Sequence, residues 1–166
     1  MGPEEWGEEG VAGLEFLSAI ETSAPVEALK RSFYVYPLVN ALHILSIGAL
    51  LTGVFLMDLR ILGFLLAQPQ APFVRLMRRL ALTAFLGAAV TGTLMFGVRA
   101  TEYVANPAFA LKMVLILLSG ANMLVFLHFS ARPNDQARRG AGRVLGLLSI
   151  VLWLGVLVCG RLIGFL

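Results

Sequence analysis

The chain has 166 residues, of which 58% are hydrophobic and only 14% charged, and its mean hydropathy is +0.84. A soluble domain of this size carries nearer a quarter charged residues, so the apolar excess must face lipid. The net charge of +3 comes with no Lys/Arg-rich stretch carrying interleaved aromatics, which excludes nucleic acid as a partner.

The N-terminus, Met1-Gly2-Pro3-Glu4-Glu5-Trp6, is acidic and lacks a basic n-region, which argues against a cleaved secretory signal. Two short amphipathic stretches follow. One is marked by Leu14, Leu17 and Ile20. The other is marked by Val26 and Leu29 and begins at Ser23-Ala24-Pro25, a helix-start signal. Both are too polar to span, so residues 1–34 are expected to lie on the membrane surface, with Trp6 as an interfacial anchor. Residues 35–166 form the membrane domain. Crossing a hydrocarbon core takes about 20 mostly apolar residues. Four runs meet that length: Val35 to Met57, Leu80 to Val98, Pro107 to about Phe129, and Val144 to the C-terminus. Pro37 falls in the opening turn of the first, where its missing N–H matters little. The fold class is therefore all-α, a four-helix membrane bundle with amphipathic helices at its N-terminus.

Arginine placement predicts orientation. Arg60, Arg75, Arg78 and Arg79 fall between spans one and two, and Arg132, Arg138, Arg139 and Arg143 between spans three and four. The link between spans two and three has only Arg99, beside Glu102. The positive-inside rule then puts both arginine-rich loops in the cytoplasm and both termini outside.

Orientation turns positions into depths. His43 is expected roughly 12 Å below the outer boundary, and Lys112 and Arg161 about 8 Å below it. Met95 and Met113 fall in the same layer. Tyr36, Asn40 and His43 recur at i, i+4 and i+7, the spacing of a polar stripe on one helical face. Three basic groups from three spans thus gather where Glu102, at the rim, is the only acid, and they call for an anion. Haem b meets both needs, with the His43 imidazole on iron and Lys112 and Arg161 neutralising propionates. Asn40, Tyr36, Met95 and Met113 complete the expected site, with Met95, Met113 or Lys112 as the further iron ligand. A site shared by His43 of two subunits is an alternative. A quinone or an anionic lipid headgroup would use the same charge without requiring the histidine. Snorkelling of Lys112 and Arg161 to the headgroups is the structural alternative.

His128 lies near the other end of span three, about 20 Å from His43 along the bilayer normal, so the two do not share an iron. That separation also argues against a three-ligand zinc site. Asp58, at the end of span one, is expected to pair with Arg60, Arg78 or Arg79, because ion pairs at membrane depth must be satisfied internally. Asn122 is expected to hydrogen-bond across helices, and Gly160-x-x-x-Gly164 to permit close packing or a homo-oligomer contact. Cys159, the single cysteine, reads as a small buried hydrophobe.

Several segments resemble an uncharacterised family of small four-helix bacterial inner-membrane proteins. They are Tyr36-Pro37-Leu38-Val39-Asn40-Ala41-Leu42-His43, Asp58-Leu59-Arg60-Ile61-Leu62-Gly63, Asn106-Pro107-Ala108-Phe109 through Lys112, and Trp153 through Gly160-Arg161. The placement of His43 and Lys112 is also similar to that of a histidine and a lysine in the haem-binding membrane protoporphyrinogen oxidase, and the bundle to the CopD-type membrane proteins. The resemblance implies a bacterial inner-membrane location and strengthens the expectation of a cytochrome b-like protein. The function expected is electron transfer or redox chemistry near the outer face, with a quinone or redox protein as partner. The alternative is a non-enzymatic accessory subunit that binds lipid or a partner protein.

Overall fold

The computed structural model describes the backbone of residues 5–65, 67–130 and 135–165 and the side chains of residues 12–65, 67–129 and 140–165. The side chains of the expected anchor Trp6 and of Arg138 and Arg139, and the whole of Arg132, lie outside the described residues. Seven helices and no strand occur among the described residues: α1 Glu5–Glu21, α2 Ala24–Arg31, α3 Val35–Leu62, α4 Gln70–Val98, α5 Ala100–Ala105, α6 Pro107–Ser130 and α7 Asp135–Leu162. Of these, α3, α4, α6 and α7 are long and apolar enough to cross a membrane, and the protein is a multi-pass helical membrane protein. Their outward faces are apolar: Ile44, Leu86, Leu117 and Val151 are all well exposed. Such a surface is stable only against hydrocarbon.

The helices outrun the apolar segments at the arginine-bearing end. Helix α4 begins at Gln70 rather than Leu80, and α3 continues past Met57 to Leu62. Helical hydrogen bonding is local and does not stop where the side chains turn polar. Helix α3 ends in a Schellman motif: Gly63 takes φ +99° and its N–H meets Arg60 O, while Phe64 N–H meets Leu59 O. The short link after α4 holds one further helix, α5, that the apolar pattern did not reveal.

In cross-section the spans run in the order α4, α3, α7, α6: α3 packs on α4 and α7, and α7 on α6. The backbones of α4 and α6 stay apart, so away from the end bearing α5 the two helices flank a cleft. Gly53 of α3 lies directly against the α4 backbone, over the Met77 carbonyl and Ala81. Leu50, Val54, Ala81 and Ala84 form the core there, backed by Phe55 and Trp153. At the end bearing α5, Phe96, Tyr103 and Phe109 stack with centroids 5.5–6.1 Å apart and tie α4, α5 and α6 together.

The N-terminal helices dock on that same end. Ile20 and Val26 approach Gly97 near the C-terminus of α4. Glu21 at the end of α1 accepts two hydrogen bonds from Thr101 of α5, from the N–H at 2.8 Å and the hydroxyl at 2.7 Å. These bonds favour the charged form and hold the Glu21 carboxyl below the usual carboxylate range. Ser23 precedes α2 as expected, but its hydroxyl donates to Ile20 O instead of capping the helix.

Candidate functional site

His43 lies half-buried in α3 and faces α4. Its Nδ1 is 2.8 Å from Thr91 Oγ1, and Thr91 Oγ1 is 2.7 Å from the carbonyl oxygen of Gly87 one turn earlier in α4. A carbonyl can only accept, so it takes the threonine's single proton, and Nδ1–H then donates to the threonine oxygen. The network therefore assigns a proton to Nδ1 and fixes the ring against α4. The sequence explains the close approach. Gly92 adjoins Thr91, and a Cβ there would sit 3.1 Å from His43 Cε1; Gly87 similarly leaves room for Ser46. The polar stripe of α3 therefore meets a stripe of small residues on α4.

Lys112 of α6 is half-buried and does not simply rise to the surface. Its Nζ lies over Gly160 of α7, 3.7 Å from where a Cβ would stand, and its charge is within electrostatic reach of His43. Gly160 thus accommodates a lysine within the chain. Asn40 and Tyr36 continue the His43 face toward the α5 end, both half-buried, and Tyr36 comes within electrostatic reach of Tyr103. Met95, also half-buried, is one turn beyond Thr91 on the same face of α4.

Two expected members stand apart. Arg161 is exposed, with its guanidinium 4.7 Å above the Phe165 ring, and Met113 is 43% exposed. Glu102, at the rim, pairs with Arg99 at 3.2 Å. His128 is in the last turn of α6, at the opposite end of the bundle from α5, edge-on to Phe129.

A second polar cluster occupies the cleft toward the arginine-bearing end, and here the structure corrects an expectation. Asp58 is 2% exposed, yet it makes no ion pair with Arg60, Arg78 or Arg79. The Arg60 guanidinium donates instead to Gln68 O, where the helix has already turned away. Asp58 Oδ2 has no hydrogen-bond partner, and Ser149 is the polar side chain beside the carboxyl. Asn122 bonds across helices as expected, its Nδ2 donating to Leu145 O of α7 at 3.1 Å, but its Oδ1 is left without a donor. Both residues line a cavity of about 180 Å³ enclosed by all four spans. Cys159 is free and buried.

Comparison with protein-family models, curated proteins and solved structures finds no match for this chain. Within the described residues, no three His, Cys, Asp or Glu side chains group as a metal site would require. A single imidazole, that of His43, is therefore the histidine that the α5 half of the bundle offers to a metal-containing cofactor.

Proposed function

We propose that the protein binds haem b in the half of the bundle nearest α5 and takes part in electron transfer or redox chemistry at the outer face of a bacterial inner membrane. The observation that carries this reading is the His43–Thr91–Gly87 relay. A histidine that ligates a metal has its ring held by a hydrogen bond through its other nitrogen, and Thr91 would supply that bond to His43. Lys112 supplies positive charge for a propionate from the flank of the cleft. Met95, on the same face of α4 as Thr91, would offer the iron a second donor. Arg161 and Met113, being exposed, lie outside this smaller set. Haem b, when bound, supplies one-electron chemistry; the chain orients the imidazole, balances charge and excludes water.

The test is the absorption spectrum of protein expressed with haem supplied. A Soret band that His43→Ala abolishes and Thr91→Val shifts is the expected result. A colourless protein, or a band indifferent to His43→Ala, overturns the reading. The broad lipid-facing surface of α6, which packs closely on α7 alone among the spans, supports a second reading. An accessory subunit whose open flank receives lipid or a partner helix would be colourless and would assemble unchanged in the His43→Ala variant.

A further inference from the structure

The cleft cavity near the arginine-bearing end has a wall chemistry distinct from that around His43. Most of its surface is apolar, with the rings of Phe85, Phe126 and Trp153 among its walls. Apart from the Arg78 guanidinium and the Ser149 hydroxyl beside the Asp58 carboxyl, the polar side chains it offers present acceptors. Asp58 Oδ2 and Asn122 Oδ1 are buried and have no donor. Asn122 cannot turn its amide round without giving up the bond from Nδ2 to Leu145 O, so its oxygen is held in place. Ser119, also in the wall, gives its proton to Leu115 O at 2.8 Å, which leaves only lone pairs. Gly146 lies over the Asp58 carboxyl, where a side chain would close the space. Buried acceptors without donors are expensive, and an acid among them more so, unless a partner enters.

We infer that this cavity binds a small organic monocation, a protonated primary amine carried on an apolar body. Its N–H groups satisfy Asp58, Asn122 and Ser119 together, its charge is matched by the acid, and the aromatic walls favour both its apolar body and its cationic head. The volume of about 180 Å³ is below the ~300 Å³ at which drug-sized pockets begin, so the guest is of fragment size. Because the backbones of α4 and α6 stay apart along the cleft, the guest enters sideways from the bilayer, where amphipathic amines concentrate. Arg78 is the other titratable side chain in the wall; it makes no ion pair and opposes the guest rather than replacing it. This inference is independent of haem, since the two sites share no residue.

Titration calorimetry of the full chain in phospholipid nanodiscs, with 2-phenylethylammonium as the probe and empty discs as the blank, tests it. Saturable binding is expected, weakened about 30-fold or more by Asp58→Asn, the scale of losing one partner of a buried charge pair. Gly120→Leu narrows the cavity where a Cβ meets nothing within 4 Å, so it keeps the fold and also weakens binding. Arg78→Gln leaves binding unchanged or tightens it. The neutral 3-phenylpropan-1-ol binds at least tenfold less tightly. Absence of saturable heat, equal affinity for the alcohol, or undiminished affinity in a folded Asp58→Asn protein overturns the inference. Any of these leaves the cavity to water or to a proton shared between Asp58 and Asn122.

Discussion

The α3–α4 contact can be tested with two glycines of one helix. Gly48 and Gly53 both lie inside α3, so each Gly→Ala change relieves the same unfavourable backbone entropy, about 1 kcal/mol by the scale for helix interiors. Their surroundings differ. A Cβ at Gly48 meets nothing within 4 Å. At Gly53 it would stand 3.1 Å from Met77 O, 3.2 Å from Ala81 N and 3.3 Å from Ala81 Cβ, all short of ordinary contact. Two of these neighbours are backbone atoms, so no rotamer change relieves the crowding and the helices themselves must part. Overpacking of this kind costs about 1–3 kcal/mol. Gly48→Ala is therefore expected to be neutral or stabilising, and Gly53→Ala about 1–3 kcal/mol less stable than Gly48→Ala. Reversible unfolding in mixed micelles, followed by circular dichroism, measures the difference with the propensity gain cancelled. Equal stability of the two variants would refute the close packing of α3 on α4.

Gly63→Ala places a side chain at φ +99° and is expected to destabilise by about 1–2 kcal/mol in the same unfolding assay, the penalty of a left-handed conformation for an L-residue. The bond from Thr101 N–H to Glu21 makes the docking of α1 on α5 acid-sensitive. The folded-state pKa of Glu21 is depressed, so its contribution is complete above the unfolded value of about 4.3 and is lost as pH falls through the folded value. The protection factor against hydrogen exchange at the Thr101 amide should fall over that acid window, whereas Glu21→Gln, which keeps an acceptor but cannot titrate there, should flatten the response. Gly160→Leu is expected to evict the Lys112 ammonium from its place over α7, read as faster labelling of Lys112 by an amine-reactive reagent; an unchanged labelling rate would mean that the lysine is not held there. Gly92→Val, with its Cβ 3.1 Å from His43 Cε1, should displace the imidazole from Thr91, detectable as a changed histidine ring resonance.

The legible part of the candidate site was its vertical coordinate. His43, Asn40 and Tyr36 share a face because helical periodicity is local, and Lys112 falls at a similar depth because helix rise is constant. The pairing of His43 with Thr91 was not legible, since threonine on an apolar helix carries no signal of its own. Its meaning comes from a neighbour 48 positions away. Arg161 shows the converse: depth placed it beside His43, but depth says nothing of azimuth, and its side chain turned out to Phe165. A search for glycines opposite polar residues would have pointed to Gly87, Gly92 and Gly160, though without choosing their partners.

Four membrane spans were therefore determined by sequence alone, because crossing a bilayer demands a length of apolar chain that composition displays directly. The lateral order α4, α3, α7, α6, the cleft it leaves, and an acid without a cation inside it were decided only in three dimensions. All four spans are greasy on the outside, and lipid is as apolar as leucine. Burial therefore could not select which faces meet, and close packing of small residues with a few directional hydrogen bonds did. Those contacts are made by residues that look ordinary in the chain, Gly53, Thr91, Asn122 and Gly160 among them.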